Sequence, residues 1–186
     1  AAILVGMGYW QDKVVLVTGG SDGLGRVIAE TFAAAGAKVA IAALELDRAE
    51  QTARQMSEAG RRVLGVQADV TQQADVDRLI DRVLQSFGRL DVLVNNAGRS
   101  HRARIVDVNA EQFSKLMDLN FLGAVRCTRA AMGELLRRRG HVVNIGSLAA
   151  KIASRWVGAY PASKFALAAY SQQLRLELGP EGLHVL

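Results

Sequence analysis

Apolar positions along the chain alternate between two patterns. Short runs that are apolar on consecutive positions, at residues 13–18, 38–43, 62–66, 90–94 and 141–145, read as strands. Between them lie longer stretches with apolar residues at helical spacing, at 24–35, 47–59, 76–87, 110–138 and 159–178, several of them stopped by glycine or by Gly179-Pro180. A strand without polar alternation is covered on both faces, and the intervening helices supply that cover. The pattern predicts a doubly wound parallel α/β sheet with helices on both faces, in three layers. Right-handed crossovers then put a ligand crevice outside the carboxyl ends of the strands, where the strand order reverses.

Composition narrows the class. With 186 residues, 50% of them hydrophobic and 22% charged, the chain suits one globular domain over residues 12–186. Residues 1–10 are apolar apart from glycine and tyrosine, yet a membrane-spanning helix needs about 20 such residues. Residues 1–11 are therefore expected to be a packed arm or the remnant of an anchor, and the two alternatives stay open. At the other end the sequence stops inside an apparent strand, so the domain is expected to be truncated there. The lone Cys127 excludes an internal disulfide and fits a buried apolar position in a reducing, cytoplasmic setting. His101 has no partners at ligand spacing, so no metal site is expected.

The net charge of +5 is spread along the chain, with Arg137-Arg138-Arg139 the one tight run, placed before Gly140 as a solvated helix end would be. No stacking pattern or recognition motif accompanies it, which argues against nucleic acid. A modest positive field still favours an anionic cofactor or substrate.

Two constellations carry chemistry. After the first strand comes Thr18-Gly19-Gly20-Ser21-Asp22-Gly23-Leu24-Gly25, leading into a helix. Glycines let the backbone turn tightly and approach a pyrophosphate, and the helix amino-terminus offers free N–H groups. The second is Tyr160 with Lys164, four residues apart, and Ser147 thirteen residues upstream. Positions i and i+4 share a helix face, so an ammonium lies beside a phenol and favours its anion. The spacing reads as a proton-transfer site. Singly, Tyr160 could be a core residue and Ser147 a turn cap.

The order of motifs resembles the short-chain dehydrogenase/reductase family. Its glycine motif has the Thr-Gly-x-x-x-Gly-x-Gly form seen at Thr18 to Gly25, and the resemblance continues through Asp69-Val70, Asn95-Asn96-Ala97-Gly98, Asn120, Ser147 and Tyr160-x-x-x-Lys164. The resemblance implies a Rossmann-type fold and an NAD(P)-dependent oxidoreductase that interconverts a secondary alcohol and a ketone. It implies Tyr160 as general acid/base, Lys164 lowering the phenol pKa and bonding the nicotinamide ribose, and Ser147 holding the reacting oxygen. Asn120 would interrupt its helix and anchor a water leading from Lys164 to solvent. Cofactor contacts are expected from Gly19, Ser21, Asp22, Gly23, Leu24, Gly25, Asp69, Val70, Asn96, Ala97 and Gly98, besides Tyr160 and Lys164.

At the ribose end the chain departs from the family pattern. Ala43-Leu44-Glu45 fills neither the usual acid position nor the following arginine position. Glu45 could accept from a 2′-hydroxyl and Asp22 would repel a 2′-phosphate, so of NAD and NADP the expectation is NAD. Arg99, His101, Arg102 and Arg104 form a basic loop that reads as solvated, with a clamp for an anionic substrate as the alternative. The family also implies a homodimer or homotetramer packed through residues 110–138 and 159–178. The competing function is a dinucleotide-binding scaffold without catalysis.

Overall fold

The computed structural model describes residues 8–186, so the apolar residues 1–7 lie outside the described part. Six strands, Val14–Thr18 (β1), Lys38–Ala43 (β2), Val63–Gln67 (β3), Val92–Asn95 (β4), His141–Asn144 (β5) and His184–Val185 (β6), form one sheet in the order β3-β2-β1-β4-β5-β6. Every pairing is parallel. The five strands expected from the apolar runs are present, and the apparent strand at the chain's end is β6.

Consecutive apolar residues along a strand feed opposite faces of the sheet. Val14 and Leu16 face a core built with Val76, Leu79 and Val83 of α3 (Gln73–Phe87) and Cys127, Ala131 and Leu135 of α5 (Gly123–Arg138). Val15 and Val17 face the other core, with Ala29 and Ala33 of α1 (Gly23–Ala34) and Ala53 and Met56 of α2 (Leu46–Ser57). Trp10 joins this second core, its ring edge-on to Phe32 at 4.9 Å. At the amino end of the sheet the buried Asp91 carboxylate accepts from the Val14 N–H at 2.8 Å and from Arg89 Nε at 2.8 Å.

The helix expected over 110–138 is broken. Helix α4 (Ala110–Met117) opens with a reciprocal cap between Asn109 and Gln112, and runs into a π-helical turn at Asp118–Leu122, where the Gly123 N–H reaches back to the Asp118 carbonyl. Helix α5 follows, and the Arg126–Asp118 ion pair at 2.7 Å spans the widened turn. Such bulges cluster at functional sites. The last helix, α6 (Tyr160–Leu178), starts with Pro161 in its first turn.

Strand β1 pairs with β2 on one side and β4 on the other, so the chain winds outward through β3 and then returns to the middle of the sheet. The crevice between the carboxyl ends of β1 and β4 is the switch point where such sheets bind ligands.

Candidate active site

The glycine turn is shaped by two residues in left-handed backbone, Gly19 at φ +64 and Gly23 at φ +53. A side chain at Gly19 would press on Asn96 Nδ2 and Ala97 Cα, whereas the space beside Gly23 is open and leaves the backbone approachable. Asp22 caps α1 by accepting from the Gly23 N–H at 2.7 Å. Gly25 serves packing instead, since a Cβ there would come within 2.2 Å of the Gly19 carbonyl oxygen and hold the helix off the turn.

Asn96 locks this turn to β4. Its Nδ2 donates to the carbonyls of Thr18 (2.9 Å) and Gly19 (3.1 Å), while the backbone N–H groups of Asn96 and Ala97 both donate to Thr18 Oγ1. Asn95 braces the sheet instead, donating to Thr128 Oγ1 at 3.0 Å and Asn144 Oδ1 at 2.8 Å.

A cleft of about 390 Å³ runs along the carboxyl ends of the strands. Gly19, Ser21 and Asp22 line it at the glycine turn, Glu45 at the end of β2, Asp69 and Val70 after β3, and Ala97 and Gly98 after β4. Leu24 stands exposed on α1 and lines none of it, and Gly25 and Asn96 support it from behind. Asp69 is held by Thr71, whose N–H and hydroxyl donate to Oδ1 at 2.9 and 2.8 Å. The residues present fit a dinucleotide: an open left-handed glycine at a helix amino-terminus, an elongated cleft, and carboxylates along the wall past β2 and β3.

Leu119 and Arg99 also line the cleft, whereas Ser147, Tyr160 and Lys164 are not among its lining residues; the link to them runs through Asn120. Asn120 is 2% exposed inside the π-turn. Its Oδ1 accepts from the Arg99 N–H at 2.9 Å, and its Nδ2 donates to the Arg99 carbonyl at 2.9 Å and Ser163 Oγ at 3.1 Å. The side-chain amide thus fixes the backbone of residue 99 against α6.

Ser163 passes the link on, donating to the Tyr160 carbonyl at 2.7 Å. One turn further, Lys164 Nζ donates to the Ile145 carbonyl at 2.7 Å and lies 5.8 Å from the centre of the Tyr160 ring. Burial pushes the Lys164 pKa below its ordinary 10.5. Ser147, two residues beyond Ile145, caps the 3₁₀ turn Leu148–Ala150 by accepting from the Ala149 N–H at 3.1 Å. The cap uses an oxygen lone pair and leaves the hydroxyl proton free to donate.

Three contributors are absent from the site residues that the sequence predicts. Thr18 acts through a hydroxyl that gathers two backbone N–H groups, and its place before Gly19 in the glycine motif is the signal that marks it. Arg99 acts through its main chain, which no side-chain pattern marks. Arg48 of α2 lines the cleft beside Glu45 and stands 3.8 Å from Asp22; its position on an amphipathic helix gives no sign of this.

The short chain dehydrogenase family model matches residues 13–186. The chain belongs to that family. It is 36% identical over 186 residues to the dehydrogenase/reductase SDR family member 7B of Bos taurus, covering 95% of this chain and 57% of that protein. It is 37% identical over 177 residues to the NADPH-dependent 1-acyldihydroxyacetone phosphate reductase of Schizosaccharomyces pombe, covering 94% of this chain and 57% of that protein. The chain therefore spans little more than half the length of either relative. Among solved structures, an alcohol dehydrogenase of Thermococcus sibiricus complexed with 5-hydroxy-NADP superposes with a TM-score of 0.89 at 29% identity, over 94% of this chain and 74% of that one. The Rossmann-type reading of the fold and the family resemblance are both shown by these matches.

Proposed function

We propose that the chain forms the dinucleotide-binding and catalytic part of an NAD(P)-dependent oxidoreductase that interconverts a secondary alcohol and a ketone. The observation that carries the reading is the Lys164 ammonium, buried, anchored on the Ile145 carbonyl and set beside the Tyr160 ring.

Tyr160 Oη gives its proton to the carbonyl oxygen of a ketone, or takes one from the alcohol in the reverse direction. When bound, the nicotinamide supplies or accepts the hydride. Lys164 makes the phenolate tolerable by charge, and Ser147 Oγ–H donates to the same substrate oxygen as charge develops there. Asn120 positions rather than reacts, tying the loop at residue 99 to α6. Gly19, Ser21, Gly23 and Gly98 leave backbone open to the cofactor, with Asp69 and Val70 on the adenine side.

Within that reading the cofactor is NAD. Glu45 and Asp22 line the cleft with carboxylates, which would repel a 2′-phosphate, and Arg48 beside them is paired with Asp22. The S. pombe relative is named for NADPH, so the two cofactors are to be compared directly. Fluorescence titration of the complete protein should give tighter binding of NADH than NADPH; preference for NADPH overturns this part. Self-association through α5 and α6 is also expected, since Phe165 and Leu176 of α6 are 46% and 74% exposed.

A panel of ketones and secondary alcohols, followed by absorbance of the reduced nicotinamide, tests the reaction itself. Turnover of some members at roughly ten per second is typical of enzymes with a suitable substrate. Tight dinucleotide binding with no turnover across the panel favours the scaffold reading.

A further inference from the structure

Two segments flank the Tyr160 and Ser147 side of the site, and they are joined to each other. The Ala103 N–H donates to the Trp156 carbonyl at 3.2 Å, and the Gly158 N–H donates to the Ala103 carbonyl at 3.0 Å. His101 packs onto Gly158, where a Cβ would meet its Nδ1 at 2.8 Å. At its other end the first segment is held by the paired hydrogen bonds between the Arg99 backbone and Asn120. The basic loop that reads as solvated in the sequence is thus fixed at both ends to the elements that carry Asn120 and Tyr160.

The charges on these segments are unbalanced. Arg99, Arg102, Arg104, Lys151 and Arg155 are all exposed, and among the described residues none of them is in an ion pair. Elsewhere on the molecule most cations have a carboxylate partner. The one acid on residues 99–109 and 147–159 is Asp107, also exposed and also outside any ion pair. The same segments carry large apolar side chains left in solvent: Val106 at 74%, Leu148 at 72% and Trp156 at 63% exposed. Trp156 holds a left-handed backbone at φ +67, a conformation that costs a bulky residue about 1 kcal/mol or more. An indole presented in solvent at such a cost, among unpaired cations, is placed for a ligand with an apolar body and a negative charge.

We infer that the paired segments 99–106 and 148–158 form the substrate mouth, and that the substrate is an amphipathic carbonyl or hydroxyl compound bearing a carboxylate or phosphate. This deepens the oxidoreductase reading and rests on it for the word substrate, while the binding itself is tested separately. The apolar body lies along Val106, Leu148 and Trp156, and the anion is drawn by Arg102, Arg104 and Arg155. Arg99 stands closest to the cofactor cleft and sets how far the head of the ligand can enter.

Calorimetry of the complete protein with octanoate, octyl phosphate and octanol separates the charged from the apolar contribution. Both anions should bind at least about tenfold more tightly than octanol. Added salt should weaken the anions and leave octanol unchanged. The variant Arg102→Ala/Arg104→Ala/Arg155→Ala should bring the anions to the octanol level and keep its dinucleotide affinity; Arg155→Ala alone should show a smaller loss in the same direction. Carboxylate and phosphate are told apart by which of the two anions binds tighter. Equal affinity for anion and alcohol, or an anion preference that survives the triple variant, overturns the proposal. So does binding confined to phosphatidylglycerol vesicles, which assigns the patch to a membrane surface. Anion binding as expected in a protein that turns over no carbonyl compound leaves this mouth standing and counts against the oxidoreductase reading instead.

Discussion

Lys164 carries a heavy electrostatic constraint for one residue: an ammonium 6% exposed, with a single backbone carbonyl as its protein acceptor. Burial holds its pKa below 10.5, so the cost of keeping it charged is present at neutral pH and is relieved as pH rises toward the unfolded value. Lys164→Met keeps the length and removes the charge. Thermal unfolding at pH 7 should show that variant at least as stable as the parent, while turnover falls by about 10²-fold or more, as for loss of a positioned catalytic group. Cys127 acts in the opposite direction. Burial pushes its thiol from 9.0 up to about 12, so the folded protein keeps the proton while the unfolded chain releases it. Stability is whole below pH 9 and is lost between 9 and about 12, by on the order of 1 kcal/mol at pH 10. Urea unfolding at pH 8 and pH 10 should show that loss in the parent and its absence in Cys127→Ala.

At the scale of elements, glycine positions with the same residue type do different work. Gly25→Ala forces a methyl to within 2.2 Å of a backbone oxygen and should cost about 1–3 kcal/mol and disturb dinucleotide binding. Gly23→Ala meets no atom, so its cost is the left-handed backbone alone, about 1 kcal/mol. Chemical denaturation combined with dinucleotide titration of both variants checks the contrast. The strands and most helices are legible in the sequence because their apolar periods and glycine stops are local signals. The π-turn at Asp118–Leu122 leaves no trace in the periodicity, and the contact made from it, between Asn120 and the loop at Arg99, is not local in sequence. Only the family motif marks its position. The same holds within the site. Tyr160 and Lys164 are legible because i and i+4 share a face, and Thr18 through its place in the glycine motif, while Arg48 and Arg99 act through contacts that only the folded chain brings together. The basic loop reads as solvated because its sequence does not show that both of its ends are tied to the site.

For the molecule as a whole, the sheet order puts the glycine turn and the β2 and β3 wall around one crevice, and Asn120 ties its Arg99 end to α6 through Ser163. The described residues contain no helix long and apolar enough to cross a membrane. Light scattering on the complete protein should give a dimer or tetramer, and Phe165→Glu on the exposed face of α6 should shift it toward monomer; a parent that is already monomeric removes the expectation. The phenol at residue 160 bears the greatest weight in the proposed chemistry. Tyr160→Phe in the complete protein should bind the dinucleotide with unchanged affinity and lose about 10³-fold or more of its turnover. Turnover retained in that variant would contradict the role given to Tyr160 and the oxidoreductase mechanism with it.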